Sequence, residues 1–308
     1  MTNWWQWRRA DRALAWLVLL GTLVVWFALA LSSTGLEPLL ALVVTICRRS
    51  LSETVAHGAE LGRLALILPL AVGFILASIE AHQLGLATRR RITSLAPACR
   101  APTRRLSRLA SRCNLGSDIR LVQAEFPLVF TQGLIYPKVW LSTGLLNMLA
   151  NDELEAVLRH EAHHRLAHDP LKMLIARCLS RGLFFIPVAR DLCETYGVSK
   201  EIAADSHATR AMHDALPLAR ALRKLIDNPV EPVSEPTLVS EIGVTEARLM
   251  ALLYPPQPRP LVEFRHLGLS LFWLLLLLVI LLAPAAGHLP SVSECSAPIA
   301  TLLRSAHT

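Results

Sequence analysis

The chain contains few charged and few aromatic side chains for its length. Of its 308 residues, 18% are charged and 6% are aromatic, whereas 53% are hydrophobic and the mean hydropathy is +0.43. This hydropathy is well above that of an ordinary soluble domain, so membrane-spanning segments are the first structures to seek. The length leaves room for a membrane part and one compact domain.

The sequence also lacks the motifs of several protein classes. No two of its cysteines form a CxxC pair, so neither a zinc ribbon nor a redox motif is supported, and lipidation and ATP-binding motifs are absent. The net charge is +7, but no base-reading motif or aromatic-interleaved basic stripe accompanies it, so we expect no nucleic-acid partner. The arginines cluster beside apolar runs, where they set topology and contact anionic headgroups.

Apolar runs predict about three transmembrane helices, over residues 13–33, 64–80 and 267–287. The first run lacks a clean signal-peptidase site, so we interpret it as an uncleaved anchor rather than a signal peptide. A shorter run over residues 39–46 is interpreted as a loop helix or re-entrant piece.

Basic residues flank the first two runs on the sides that face one compartment. Arg8, Arg9 and Arg12 precede the first run, and the arginine-rich stretch 88–112 follows the second. Loops rich in Lys and Arg stay in the cytoplasm, so we expect both clusters inside. The predicted parts are a membrane hairpin over 1–95, a cytoplasmic domain over 96–255, a third span over 267–287 and an extracytoplasmic tail over 288–308.

The cytoplasmic domain is predicted to mix strands and helices. The stretch FPLVFTQGLIYPKVWLS alternates in polarity around Gly133 and Pro137, which favours a β-hairpin. The following stretch LLNMLANDELEAVLRHEAHHRLAH has helical periodicity, and Asp152 and Glu155 have the spacing of a capping box.

The motif HEAHH at 160–164 carries the predicted chemistry. His160 and His164 lie one helical turn apart, so their imidazoles can converge on one ion, and neutral imidazole is a good zinc ligand. Glu161 stands beside them, where a carboxylate can take a proton from attacking water and return it to the leaving amine. HExxH is therefore the signature of a zinc metalloprotease, and the plainer alternative is a polar helix face with incidental histidines.

A third ligand is expected from another element. His168 lies about 12 Å along the helix from His160, too far to share an ion, and His163 points to another side. Glu201 is the best candidate. Asp205 follows it by one turn and can hydrogen-bond the far nitrogen of a zinc-bound histidine.

Three further features of the sequence can be interpreted, two of them in two ways and the third as a linker. His207 and Arg210 are candidates to stabilise an oxyanion, and simple surface exposure is the alternative. Residues 171–189 are apolar with a few basic residues, so they form either a helix on the inner leaflet or a core helix. The proline-rich stretch 228–240 is interpreted as a linker.

The line from VFTQGLIYPKVWLS through RHEAHHRLAHDP to KEIAADSHA resembles the M56 peptidases, the membrane metalloproteases of the BlaR/MecR type, and shares the wider pattern of the M48 group. The resemblance covers about residues 95–215 with the flanking spans. It implies a zincin-like metallopeptidase domain of the gluzincin type in a bacterial inner membrane. It also implies that His160, His164 and Glu201 bind Zn²⁺, that Glu161 is the catalytic base, and that Asp205 and Asp169 match acidic positions of the family.

By this resemblance the leading hypothesis is regulatory, signal-linked proteolysis of a cytoplasmic protein such as a transcriptional repressor. The lipid bilayer and a separate sensor protein are the other expected partners. The final residues contain no SxxK motif, so β-lactam sensing by this chain is not supported. In the predicted topology Cys47 and Cys295 both lie outside, which permits a disulfide between them.

Two alternatives remain open. One is a housekeeping protease that degrades misfolded membrane proteins, and the other is a non-catalytic signal transducer on the same fold. The complete set of His160, Glu161, His164 and Glu201 argues against the second alternative, because a chain without catalysis need not keep all four.

Overall fold

The computed structural model describes residues 4–33, 53–228, 248 and 261–286. The predicted run at 39–46, nearly all of the 228–240 linker, the 288–308 tail, Cys47 and Cys295 lie outside the described residues. The helices are α1 (Trp4–Ser33), α2 (Glu53–Leu95), α3 (Arg104–Arg112), α4 (Thr143–Met148), α5 (Asn151–Ala167), α6 (Asp169–Gly182), α7 (Pro187–Met212), α8 (Leu216–Asp227) and α9 (Phe264–Ala286). The strands are β1 (Cys99–Arg100), β2 (Ile119–Val122), β3 (Val129–Gln132) and β4 (Lys138–Ser142).

One helical stretch among the described residues, Leu68–Ala98, is long and apolar enough to cross a membrane. It overlaps the second predicted span and continues past it to the arginines at the end of α2. A shorter apolar stretch, Phe264–Leu276, begins the third predicted span, and α1 runs unbroken through the first. By length and composition the structure therefore supports one membrane-spanning helix among the described residues, and the full set of three spans stays a prediction.

The domain contains a small sheet of four strands. Its strand order is β1-β2-β4-β3, with β4 parallel to β2 and antiparallel to β3. The β3–β4 pair confirms the predicted hairpin. Gly133 starts its turn at φ 121°, where a Cβ would lie 2.7 Å from the carbonyl oxygen of Tyr136, so only glycine fits.

The core of the domain lies between this sheet and α5. Val139 and Leu141 alternate along β4 and face Leu154 and Leu158 of α5, and all four are fully buried. Burying each leucine contributes about 1.5–3 kcal/mol, so this contact fixes α5 against the sheet. The helix that carries HEAHH is therefore held by the most buried part of the molecule.

The predicted capping pair of α5 is wrong. The helix begins at Asn151, and the side chain of Glu153 accepts a hydrogen bond from the backbone N–H of Ala150 at 2.9 Å. Asp152 instead pairs with Arg220, and Glu155 pairs with Arg159. The side chains that the local spacing assigned to the cap are thus in ion pairs, one with α8 and one within α5.

Residues 171–189 do not form one helix. The chain reverses between Gly182 and Pro187, so the segment is divided between α6 and α7. Helix α6 packs against both α1 and α2, and α7 packs along α1. Both earlier readings of this segment assumed a single helix and need correction.

Candidate metal centre

Three side chains bring one donor atom each to a common point. The Nε2 atoms of His160 and His164 lie 3.0 Å apart, and Glu201 Oε2 lies 3.4 Å from the first and 3.5 Å from the second. His160 and His164 come from α5, whereas Glu201 comes from α7, which packs against α5. The structure thus gathers the three predicted ligands, and these residues form a group that could hold a metal ion.

The geometry of this triangle fits zinc. Zinc binds nitrogen or oxygen ligands at about 2.0–2.1 Å, so neighbouring ligand atoms of a tetrahedral site lie about 3.3 Å apart. The three observed separations bracket that value. Two imidazole nitrogens facing each other without a proton between them would repel, and a cation between them removes that repulsion.

The imidazole of His164 is oriented from behind by a carboxylate. Its Nδ1 lies 2.6 Å from Asp169 Oδ2, and the hydroxyl of Tyr196 donates to the other oxygen of Asp169 at 3.0 Å. With the Nδ1 proton held by Asp169, the Nε2 lone pair faces the triangle. Without a metal ion, burial lowers the pKa of His164, but Glu201 and Asp169 outweigh it and raise the pKa to about 9. A metal ion that binds Nε2 therefore displaces a proton from this nitrogen.

The imidazole of His160 has an equivalent partner. Its Nδ1 lies 2.8 Å from Asp205 Oδ1. Asp205 in turn accepts two hydrogen bonds from the Arg248 guanidinium, both at 2.8 Å. Burial raises the pKa of Asp205, but Arg248 and His160 outweigh it and lower the pKa to about 2.

Glu161 is buried beside the triangle and is held by the sheet. The hydroxyl of Thr131 in β3 donates to Glu161 Oε2 at 2.7 Å and also lies 3.2 Å from its carbonyl oxygen. The charge of Glu161 acts on both Lys200 and Arg248, which contact Glu201. The carboxylate of Glu161 therefore lies near the two cations that contact the third ligand.

The charges around the triangle leave room for a divalent cation. Four carboxylates, those of Glu161, Asp169, Glu201 and Asp205, surround it. Lys200 and Arg248 pair with this group. With both imidazoles neutral, as zinc ligation requires, its negative charges exceed its positive ones by two. Burial raises the pKa of Glu201, but Lys200 and His164 lower it well below its usual range, so the ligand stays ionised.

His163, His207 and Arg210 lie outside the triangle. His163 is buried and faces His207, with ring centroids 5.5 Å apart. Arg210 is exposed and donates to the carbonyl oxygen of Ser206 at 3.0 Å. His168 is exposed and ends α5 in the left-handed region at φ 54°. The predicted role of His207 and Arg210 in stabilising an oxyanion stays a prediction.

Sequence reasoning missed four residues that contact the site. Thr131, Tyr196, Lys200 and Arg248 each hold one of its carboxylates. Lys200 directly precedes Glu201, which is a local signal that could have been used. Arg248 follows the segment interpreted as a linker, and its contact with Asp205 spans 43 positions, so no local pattern announces it.

The segment that carries the HEAHH motif is similar to a known protein family. Residues 103–193 match Peptidase family M48. This match includes strands β2, β3 and β4, α5 with its HEAHH motif, α6 and the start of α7, and it ends before Glu201. The M48 pattern in the sequence is thereby confirmed, whereas the M56 assignment stays a prediction.

A curated relative agrees with this family. The chain is 25% identical over 192 residues to a protein named Protease HtpX homolog from Janthinobacterium sp. (strain Marseille), a match over 50% of this chain. The chain spans 66% of the length of that relative. The activity of the whole chain is therefore a matter for proposal.

Proposed function

We propose that this chain is an integral-membrane zinc endopeptidase with its active site on the cytoplasmic side. One observation carries the proposal. The donor atoms of His160, His164 and Glu201, which come from two helices, lie close enough together to bind one metal ion, and the buried Glu161 follows His160. The family match and the name of the curated relative support the reaction class. The apolar stretch in α2 supports the membrane setting.

The residues divide the chemistry among them. His160, His164 and Glu201 would hold Zn²⁺, which when bound acidifies water and polarises a carbonyl. Glu161 takes the proton of the attacking water and delivers it to the leaving amine. Asp169 and Asp205 keep the two imidazoles in the tautomer that presents Nε2 to the ion.

Substrate binding is assigned to the β3 edge of the sheet, where the described residues supply no further strand. Strand β3 is at the end of the strand order and pairs on its other side with β4. An extended peptide can add to such an edge through main-chain hydrogen bonds. Because Thr131 of β3 contacts Glu161, a peptide on this edge passes beside the catalytic carboxylate.

The biological role proposed here is regulatory cleavage of a cytoplasmic protein such as a transcriptional repressor. Its support is the M56 resemblance of the sequence. The M48 match favours general degradation of membrane proteins as the second candidate.

Metal analysis of purified variants tests the site. We expect His160→Ala, His164→Ala and Glu201→Ala each to lose zinc, because each removes a ligand. Glu161→Gln should keep zinc and lose cleavage of fluorescent casein, because it removes only the proton carrier. His168→Ala is the matched histidine control and should change neither property. Full zinc content in Glu201→Ala would remove that residue from the ligand set.

Mapping of new protein N-termini tests the role. Cells that express the wild-type chain should contain cleavage products that are missing from cells with Glu161→Gln. Products from one or a few cytoplasmic proteins support regulatory cleavage, and products from many membrane proteins support general degradation. Identical N-termini in both strains would support the non-catalytic transducer.

A further inference from the structure

The reversal between α6 and α7 is uncharged. Residues 182–189 read GLFFIPVA, with Leu183 and Ile186 buried and the Phe184 side chain 50% exposed. A large exposed aromatic ring at a helix reversal loses favourable burial if it faces water. The structure shows what surrounds this reversal.

Two predicted spans contact α6 near their centres. A Cβ on Gly73 would lie 2.1 Å from the carbonyl oxygen of Gly182, so the backbones of α2 and α6 touch there. A Cβ on Gly21 of α1 would lie 2.7 Å from a terminal methyl of Leu179. Gly73 and Gly21 are mid-span positions in the runs 64–80 and 13–33. The end of α6 therefore lies at the depth of the middle of both runs.

The start of α7 is aligned with the third predicted span. The backbone N–H of Val188 donates to Ser270 Oγ of α9 at 3.1 Å. One turn further along α7, Asp191 pairs with His266 at 2.8 Å and accepts the backbone N–H of Glu263 at 3.1 Å. The polar contacts of Asp191 thus lie at the beginning of α9. The reversal between α6 and α7 lies further along α9, toward its apolar residues.

The charged side chains near the reversal are paired with one another. Glu80, near the end of the apolar run in α2, is buried and accepts a hydrogen bond from Arg177 Nε at 2.9 Å. Arg181 Nε lies 3.5 Å from the other Glu80 oxygen. Ionisable groups at such depth are stabilised by pairing, and a long arginine side chain can also reach headgroups.

We propose that residues 182–188 form a re-entrant turn inserted into the lipid bilayer between the spans. The proposal rests on the membrane setting given under Proposed function. Its occupant is the acyl-chain region of the membrane, because the turn is continuous with the apolar faces of α1, α2 and α9. Large exposed apolar side chains cover those faces, including Trp16, Leu19, Phe74, Ile75 and Phe272.

Insertion would fix the height of the active site above the membrane. Helix α7 carries both the turn at Pro187 and the ligand Glu201. At a rise of about 1.5 Å per residue, Glu201 lies about 15 Å along the helix from Asp191, at the polar boundary. The site would then accept extended segments that lie close to the membrane surface.

The test compares three single-cysteine substitutions in the full chain, reconstituted in nanodiscs of phosphatidylcholine and phosphatidylglycerol. Phe184→Cys probes the turn. Phe74→Cys, at a position 76% exposed in α2, is the membrane control, and Leu216→Cys, at a position 61% exposed at the start of α8, is the aqueous control. Each is treated with a water-soluble polyethylene-glycol maleimide, and the modified peptide is quantified by mass spectrometry. Unchanged zinc content shows that each variant is folded.

A thiol in hydrocarbon stays protonated and out of reach of the reagent. The Phe184→Cys variant should therefore react at least about tenfold more slowly than Leu216→Cys and as slowly as Phe74→Cys. In a second measurement on the wild-type chain, phosphatidylcholine with a diazirine in its acyl chain should label the peptide that contains residues 182–189. Reaction at 184 as fast as at 216 overturns the proposal. Protection without acyl-chain labelling also overturns it and indicates cover by protein. Fast reaction at 74 with zinc retained shows that the membrane setting has failed while the metal site stands.

Discussion

At the residue scale, the candidate site depends on side chains that do not touch the ion position. Each imidazole is backed by a carboxylate, and each carboxylate is held by a further donor, Tyr196 on one side and Arg248 on the other. A buried polar group left without its partner is costly. The outer donors should therefore affect metal affinity.

Replacing Tyr196 with Phe should weaken zinc binding about 10- to 100-fold, the usual effect of losing a partner behind a metal-bound histidine. The change removes the hydroxyl that holds Asp169 and leaves the buried ring in place. Competition with a fluorescent zinc chelator measures the affinity. Tyr136→Phe, at a position 83% exposed, is the matched control. Equal affinities for both variants would show that the hydroxyl does not position Asp169.

His163 predicts an acid-sensitive fold. Burial, aided by the charge of His164, lowers the pKa of His163 from 6.5 to about 3. The unfolded chain therefore binds this proton as the pH falls below 6.5, whereas the folded chain does so only near 3. The free energy of unfolding that depends on neutral His163 is fully present above pH 6.5. It is lost as the pH falls from 6.5 to about 3, by up to about 1.4 kcal/mol per pH unit.

Thermal unfolding of the metal-free protein between pH 7 and pH 4 measures this effect. His163→Gln should show a shallower fall in midpoint than the wild type, because it lacks the titrating group. His82→Gln, at an exposed position in α2, should follow the wild type. If His163→Gln also follows the wild type, another group carries the acid sensitivity.

At the element scale, close helix contacts join the membrane part to the domain. Helix α6 begins at Asp169, which holds His164, and ends at Gly182, which touches α2. A second contact joins α2 to the sheet, where the Arg91 guanidinium lies 3.9 Å from the centre of the Phe130 ring. Phe130 precedes Thr131, which holds Glu161. The helix α2 thus contacts elements that position a ligand and the proposed base.

Substitution at Gly73 tests the contact between α2 and α6. Gly73→Ala should destabilise the protein by about 1–3 kcal/mol, because the new methyl overlaps the Gly182 carbonyl and the backbone must move. Gly85→Ala is the matched control in the same helix, since a Cβ there meets nothing within 4 Å. It should be neutral or stabilising by up to about 1 kcal/mol. Thermal unfolding of both in nanodiscs gives the comparison, and equal midpoints would contradict the packing.

At the scale of the whole molecule, a peptidase segment is continuous with apolar helices. The family match begins at residue 103, just after the helical stretch that is able to span a membrane. The arginines on both sides of this junction, at the end of α2 and in α3, follow the pattern of cytoplasmic segments. This arrangement makes a definite prediction about topology.

Reporter fusions test that topology. A reporter after residue 100 should be active only as a cytoplasmic reporter, and one after residue 300 only as an extracytoplasmic reporter. With the N-terminus inside, two predicted spans precede residue 100 and one separates it from residue 300. The pair needs both a phosphatase and a fluorescent-protein fusion at each site, so that silence is distinguished from poor expression. The same side for both positions would show that an even number of spans separates residue 100 from residue 300.

Local sequence determined the parts of this protein that depend on spacing along one element. HEAHH on a helix places His160 and His164 one turn apart wherever the helix goes, and alternation around Gly133 specifies the hairpin. The helical phase also placed Asp205 one turn after Glu201. These inferences needed only the periodicity of the backbone.

Only the tertiary structure decided which distant side chains meet. Glu153, which caps α5, pairs with Lys224 of α8, and Asp152 pairs with Arg220 of the same helix. The Arg248–Asp205 pair, the Tyr196–Asp169 hydrogen bond and the contact of Gly73 with Gly182 join elements far apart in the chain. Ion pairs, hydrogen bonds and backbone contacts of this kind form between any complementary groups that packing brings together. Sequence supplies the groups, and the packing of α5, α6 and α7 selects the partners.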